Sequence, residues 1–213
     1  GEMNATEIVL GLHHKHGMLD SFLGSFAQSI LKGTHRQMMV VKCLMPVNTM
    51  RRLMVAVPPK AEFEAGFYKW VERLARIGGQ LGCRVHFWAH PDTILRINGY
   101  LKKFHGNVRV EFSPMDDWDD LLLMSSKVAY DHLVVIVSAR KGAISYQSSF
   151  EELPTQITKY FSNCSLMLIY PDQLGDPLEN LTFSSPRGQS ENPIYDHVSK
   201  WVYKWMKKGE EQA

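Results

Sequence analysis

Long hydrophobic runs are missing from this chain: no apolar stretch approaches the roughly 18 residues that a bilayer-spanning helix needs, and no positively charged leader with an apolar core opens it. A soluble polypeptide is expected, which still leaves room for its being the cytosolic part of a longer membrane protein. Cysteine is scarce. Cys43, Cys83 and Cys164 are odd in number, widely spaced and set in or beside hydrophobic runs, so they read as buried thiols of a reducing compartment. An excess of one charge is missing too: 24 Lys and Arg against 22 Asp and Glu leave +2. That is far from the balance of a protein that neutralises many phosphates, and nucleic acid is excluded as a general partner. There is also no GxSxG elbow, no GxxxxGK(S/T) loop and no HExxH helix. Scattered Ser, His and Asp residues give no enzyme signature, so no catalytic residue and no metal site is assigned.

What is present suffices for a sizeable core, with 213 residues of which 45% are hydrophobic. Short β-rich runs recur at 8–12 (IVLGL), 37–43 (QMMVVKC), 53–57 (LMVAV), 84–89 (RVHFWA), 108–112 (VRVEF), 132–137 (HLVVIV) and 165–170 (SLMLIY). Stretches of helical period separate them, and that alternation predicts a mainly parallel sheet covered on both faces. Phe67, Trp70, Val71, Leu74, Ala75, Ile77 and Leu81 form one apolar helical stripe, which Gly78, Gly79 and Gly82 are expected to fray. A second helix is expected over 92–104. Asp119 and Asp120 precede a leucine run and suit a helix start, where carboxylates accept from free amides. The last crossover helix is expected over 150–161, with Pro154 in its first turn.

An internal repeat orders these elements. Residues 8–46 read strand, HHKHG loop, helix, strand, proline; residues 133–171 read strand, SARKG loop, helix, strand, proline, with Gly17 aligned on Gly142. Before the second copy lie further β-α units starting at Arg52, and before the first lies almost nothing. A parallel strand needs neighbours to receive its hydrogen bonds. The opening segment is therefore expected to be the closing half of a unit whose first half precedes Gly1 in a longer gene. The expected organisation is 1–50, a closing β-α-β half; 51–173, a complete unit; and 174–213, a linker and terminal helix.

Strands alternating with helices, closed by a glycine-bearing loop after the fourth strand, resemble the universal stress protein family. That resemblance implies an α/β fold: a doubly wound, mainly parallel five-stranded sheet in the order three-two-one-four-five, here preceded by a β-α-β half unit. The family's nucleotide motif is glycine, two residues, glycine, nine residues, then glycine with serine or threonine. Gly11 fits its start, Gly24 and Ser25 fit its end, and His14 stands where the second glycine belongs. The resemblance implies phosphate held by the amides at Gly24 and Ser25, a helix N-terminus serving as the anion site, with adenine nucleotide as the ligand. The second copy departs further. Pro58 and Pro59 replace the family's aspartate, and Ser149 and Phe150 stand at the positions of Gly24 and Ser25.

The stretches TEIVLGLHHKHGMLDSFLGSFAQSIL, RRLMVAVPPKAEFEAGF, SPMDDWDDLLLMS, VIVSARKGAISY and KYFSNCSLMLIYPDQ look like the C-terminal region of bacterial sodium/proton exchangers of the monovalent cation:proton antiporter-2 group. There, tandem stress-protein-like domains follow a membrane domain. Over residues 6–173 this resemblance implies a regulatory tail on the cytoplasmic face of the inner membrane, with the parent's membrane domain as partner. It also implies pairing, as a homodimer or in tandem, through the edge strands 37–43 and 165–170, because an exposed apolar edge seeks a partner. A free-standing nucleotide-binding stress protein with a degenerate site is the alternative, and a small hydrolase on the same fold is a third class.

The default ligand position in such folds is the crevice outside the carboxyl ends of the strands where the sheet order reverses. Lys60 after one strand, and Arg140, Lys141 and Gly142 after another, are the anion-binding candidates there, since guanidinium and ammonium groups suit phosphate or carboxylate. His13, His14 and His16 lack the further ligands a structural zinc requires and read as loop histidines, with pH sensing a second role because imidazoles titrate in the physiological range. Asp116, Asp117, Asp119 and Asp120 read as caps and solvated charges. Past a linker rich in Gly, Pro and Ser, the residues Ile194, Val198, Trp201, Val202 and Trp205 form an apolar stripe beside Lys200, Lys204, Lys207 and Lys208. Such a helix suits an anionic membrane surface or docking on protein.

Overall fold

The computed structural model describes residues 7–11 and 24–174. The chain divides into two units, Gly1–Leu174 and Gly175–Ala213, and the described residues all belong to the first. His13, His14 and His16, the linker and the expected C-terminal helix lie outside the described residues.

The elements run β1 (Glu7–Gly11), α1 (Gly24–Gly33), β2 (Gln37–Lys42), β3 (Arg52–Ala56), α2 (Phe67–Leu81), β4 (Arg84–Ala89), α3 (Pro91–Phe104), β5 (Val110–Pro114), α4 (Leu121–Ser125), β6 (His132–Val137), α5 (Leu153–Tyr160) and β7 (Ser165–Tyr170). The strands form one seven-stranded sheet in the order β1-β2-β7-β6-β3-β4-β5. Every neighbouring pair is parallel except β2 with β7. From β5 across to β7 the second unit has the expected order three-two-one-four-five, so the fold is a doubly wound, mainly parallel α/β sheet.

One expectation needs correction. The half unit does not merely precede a five-stranded sheet; it extends that sheet, with β2 laid antiparallel on β7 in the register Met38↔Tyr170 through Lys42↔Leu166. The strands 37–43 and 165–170, expected to pair as a homodimer or in tandem, pair with each other within this chain. Among the described residues the sheet's outer strands are β1 and β5.

The strands form where they do because the central ones are buried on both faces, which demands continuous apolar runs rather than alternation. β7 is buried along its whole length, and β3 and β6 are buried after their first residue. The pleat sends Leu53, Val55, Leu133, Val135 and Ile169 to one layer, where Phe67, Trp70 and Leu74 of α2 cover them. Met54, Ala56, Val134, Ile136, Leu168 and Met38 face the other layer, under Trp118, Phe150 and Leu153. β2 thus shares its core with residues 51–173. On α2, Arg73 Nη2 also lies 2.5 Å from Glu7 Oε2, tying the half unit to the first layer.

The glycines at the end of α2 do not fray it. Gly78 stays helical because a Cβ there would come within 2.5 Å of Val85 Cγ2, so its bareness lets helix and strand approach. The helix stops at Gly82, whose φ of 63° is left-handed and whose following residue, Cys83, donates its N–H to Gly78 O. The last crossover begins with a short 3-10 turn, Ser148–Glu151, before α5, with Pro154 in the first turn as expected.

Candidate functional site

The sheet order reverses between β3 and β6, and the crevice outside their carboxyl ends is framed by the loops that follow them. The loop after β3 starts from buried Pro58 and turns at Lys60, whose φ of 66° and ψ of 10° make it the one non-glycine residue with positive φ among those described. A single 3-10 turn, Ala61–Phe63, follows, and Glu64 is extended. This reversal carries the Glu64 carboxylate across the crevice to the loop after β6. There Ser145 donates both its backbone N–H and its hydroxyl to Glu64 Oε1, each at 2.8 Å. Ser145 is only 1% exposed, so both bonds form away from bulk water, where a charged acceptor strengthens them.

The residues named from sequence are not one site. Gly11 ends β1 and Gly24 with Ser25 opens α1. Because β2 is antiparallel to β7, and β1 runs with β2, the carboxyl end of β1 lies at the opposite end of the sheet from those of β3 and β6. The remaining candidates do cluster, but they do different work from that expected. Lys60 supplies the left-handed turn and is exposed. Arg140 donates from Nη1 to Pro171 O at 3.3 Å and from Nη2 to Arg36 O at 2.9 Å, while its buried Nε has no hydrogen-bond partner. Burial pulls its pKa below the ordinary value, with Asp172 and Tyr170 opposing. It braces the end of β7 against the start of β2. Lys141 is exposed and bound to Glu151 Oε1 at 2.8 Å, and that hydrogen bond raises its pKa. Gly142 turns the loop with a φ of 89°.

Asp120, expected to cap the leucine helix, makes no side-chain cap at the start of α4; the capping falls one turn earlier, where Asp117 is the N-cap of the short 3-10 turn Trp118–Asp120, accepting from Asp119 N while Asp120 accepts from Asp117 N. No cluster of three or more His, Cys, Asp or Glu that could hold a metal occurs among the described residues.

Three features of the region escaped the sequence reading. The first is the Glu64–Ser145 bridge. The second is a buried ion pair, Lys69 Nζ to Asp172 Oδ2 at 2.6 Å, beside which Gly66 presses on the Asp172 backbone so closely that a Cβ would meet its N and O at 2.5 Å. The third is Tyr170, whose phenol is pushed up to about 12 by burial, against the opposing effects of the Arg140 charge and a hydrogen bond with Ser138. Glu64 and Ser145 are far apart in sequence, and no local pattern joins them. An open groove of about 740 Å³ lies between the Pro59–Phe63 turn and the start of α3, with Lys60, Glu62, His90, Asp92 and Arg96 among its walls. Phe63 and Leu95 stand 63% and 70% exposed there.

Fold and crevice together define a doubly wound α/β domain in which Glu64 and Ser145 bridge the two loops at the switch point. No family profile and no curated protein matches the sequence. Among solved structures the chain is similar to a candidate universal stress protein from Pseudomonas aeruginosa UCBPP-PA14, at 14% identity and a TM-score of 0.44, over 93% of this chain and 68% of that one. It is also similar to a protein of unknown function from Pseudomonas aeruginosa PAO1, at 15% identity and a TM-score of 0.42, over the same shares of each chain. No helix among the described residues is long and apolar enough to cross a membrane.

Proposed function

We propose that this chain is a non-catalytic regulatory module, and that it serves as the cytosolic part of a bacterial sodium:proton antiporter whose membrane domain is its partner. One observation carries the non-catalytic half of this reading: in the crevice where a doubly wound enzyme takes its ligand, Glu64 already satisfies Ser145. A hydrolase would keep that position open for a reacting atom and place a nucleophile with a base beside it. Here Arg140 donates to two carbonyls and Lys141 to Glu151. The antiporter link rests on the sequence stretches that resemble that group.

The test is sodium-dependent proton flux in inverted membrane vesicles carrying the intact antiporter or one lacking this segment. Transport should persist without the segment while its dependence on pH or sodium concentration shifts. Identical curves would sink the regulatory role.

A second reading, an adenine-nucleotide-binding stress protein, is supported by the open groove beside Lys60, which has the exposed Phe63 ring on its wall together with Lys60 and Arg96, though Glu62 and Asp92 line it too. The length of the native gene upstream of Gly1 separates it from the first reading, while nucleotide titration with analysis of the products separates both from a hydrolase, since a binder that does not hydrolyse returns its nucleotide unchanged.

A further inference from the structure

Ser145 brings two donors, N–H and Oγ–H, to a single carboxylate oxygen of a residue on a different loop. Such convergence on one oxygen is how a loop receives an oxyanion, and buried donors of this kind cannot be left without an acceptor. The cations in the neighbourhood do not explain the position of Glu64, because Arg140 and Lys141 have other partners. What places it is the left-handed turn at Lys60, which aims the extended Glu64 across the crevice. Glu64 is itself only half-buried, so its route out to water is short.

We propose that the loop after β6 is an oxyanion site plugged from within: Glu64 supplies the carboxylate that a phosphate or carboxylate ligand would otherwise bring to Ser145. The plug joins the loops after β3 and β6 without any ligand, so this unit stays in the ligand-bound arrangement permanently. The inference rests on the reading of the crevice as internally filled and is independent of the antiporter link. Failure of the flux experiment leaves it intact, and its own failure leaves that experiment standing.

Chemical rescue tests it on the full chain. Glu64→Ala removes the plug and leaves the donors, so its thermal midpoint should fall. Inorganic phosphate or formate at about 100 mM should then restore about half or more of the loss, because a ligand that binds only the folded state stabilises it by mass action. Sodium chloride at equal ionic strength should not, and the wild type, whose site is occupied, should respond to none of these salts differently from chloride. Adding Ser145→Ala to Glu64→Ala removes the hydroxyl donor and should weaken the apparent anion affinity about tenfold. If Glu64→Ala is unfolded in chloride, phosphate should recover the folded signal, and Glu64→Ser, which leaves a smaller gap, provides the same comparison. The proposal is overturned if phosphate and formate act on these variants no better than chloride, if they raise the wild type by the same amount, or if the rescue is indifferent to Ser145→Ala.

Discussion

Lys69 on α2 and Asp172 just after β7 form an ion pair of 2.6 Å in which the two side chains are only 9% and 1% exposed. Asp172 Oδ1 also accepts from Leu174 N. The pair fastens the start of the first-layer helix to the end of the strand on which the half unit is laid. Removing one member of such a pair strands the other charge in a medium that solvates it poorly, and this costs more than the pair contributes. Lys69→Met should therefore destabilise the protein by about 3 kcal/mol in urea unfolding, with the slope of the transition unchanged. A loss below about 0.5 kcal/mol would mean that water reaches Asp172 and that the pair is no fastener.

Arg140 gives a second prediction, because its two readings part cleanly. As a brace between Pro171 O and Arg36 O, it should cost about 2 kcal/mol when replaced by Met. Hydrogen exchange in Arg140→Met should quicken more along the β2–β7 ladder than along β3–β4. If stability and exchange stay at wild-type values while anion binding is lost, Arg140 is a ligand residue after all.

The acid side of the stability curve should carry the mark of Glu72. This carboxylate on α2 accepts from Arg76 Nε at 2.6 Å, from Tyr100 Oη at 3.0 Å and from His105 Nε2. Burial pushes its pKa up, but the hydrogen bonds from Arg76 and His105, the His105 charge and the Tyr100 bond outweigh burial and hold it below the ordinary value. Since the folded value lies below the unfolded one, the unfolded chain binds more protons between the two. The contribution of Glu72 is therefore complete above the unfolded carboxyl value of about 4.3 and is lost as pH falls through the folded value. Glu72→Gln should cost about 1–3 kcal/mol at pH 7 and flatten the decline below about pH 4.3. An acid limb as steep as that of the wild type would assign the decline to other groups.

How much of this could be read from sequence follows from the environment of each segment. β6 and β7 have the bounds expected because their cores are continuous buried apolar runs, and β4 keeps its expected bounds although the half-buried His86 interrupts its run. β5 begins two residues later than the pattern suggests: the N–H of Val108 closes a turn on His105 O, and Val108 packs beside Gly79, so it is spent before the ladder begins. The antiparallel β2–β7 junction has no local signal, since two apolar edge strands look the same whether they meet each other or a second chain.

The residues named for the candidate site divide between the two ends of the sheet, with Gly11, Gly24 and Ser25 apart from the rest. Lys60, Arg140, Lys141 and Gly142 do frame the crevice, yet charge alone suggested an anion from outside. The occupant is Glu64, one acidic residue among many, identified only when the left-handed turn at Lys60 is known.

Titration calorimetry of the full chain with ATP, AMP and cyclic dinucleotides, run alongside amide NMR of Ser145 and Gly142, tests most directly whether the crevice is filled from within. Glu64 in place predicts no saturable heat at millimolar nucleotide and no movement of the Ser145 amide. A Kd below about 100 μM together with a shifted Ser145 amide would contradict it, because the ligand would then be occupying the position assigned to the protein's own carboxylate.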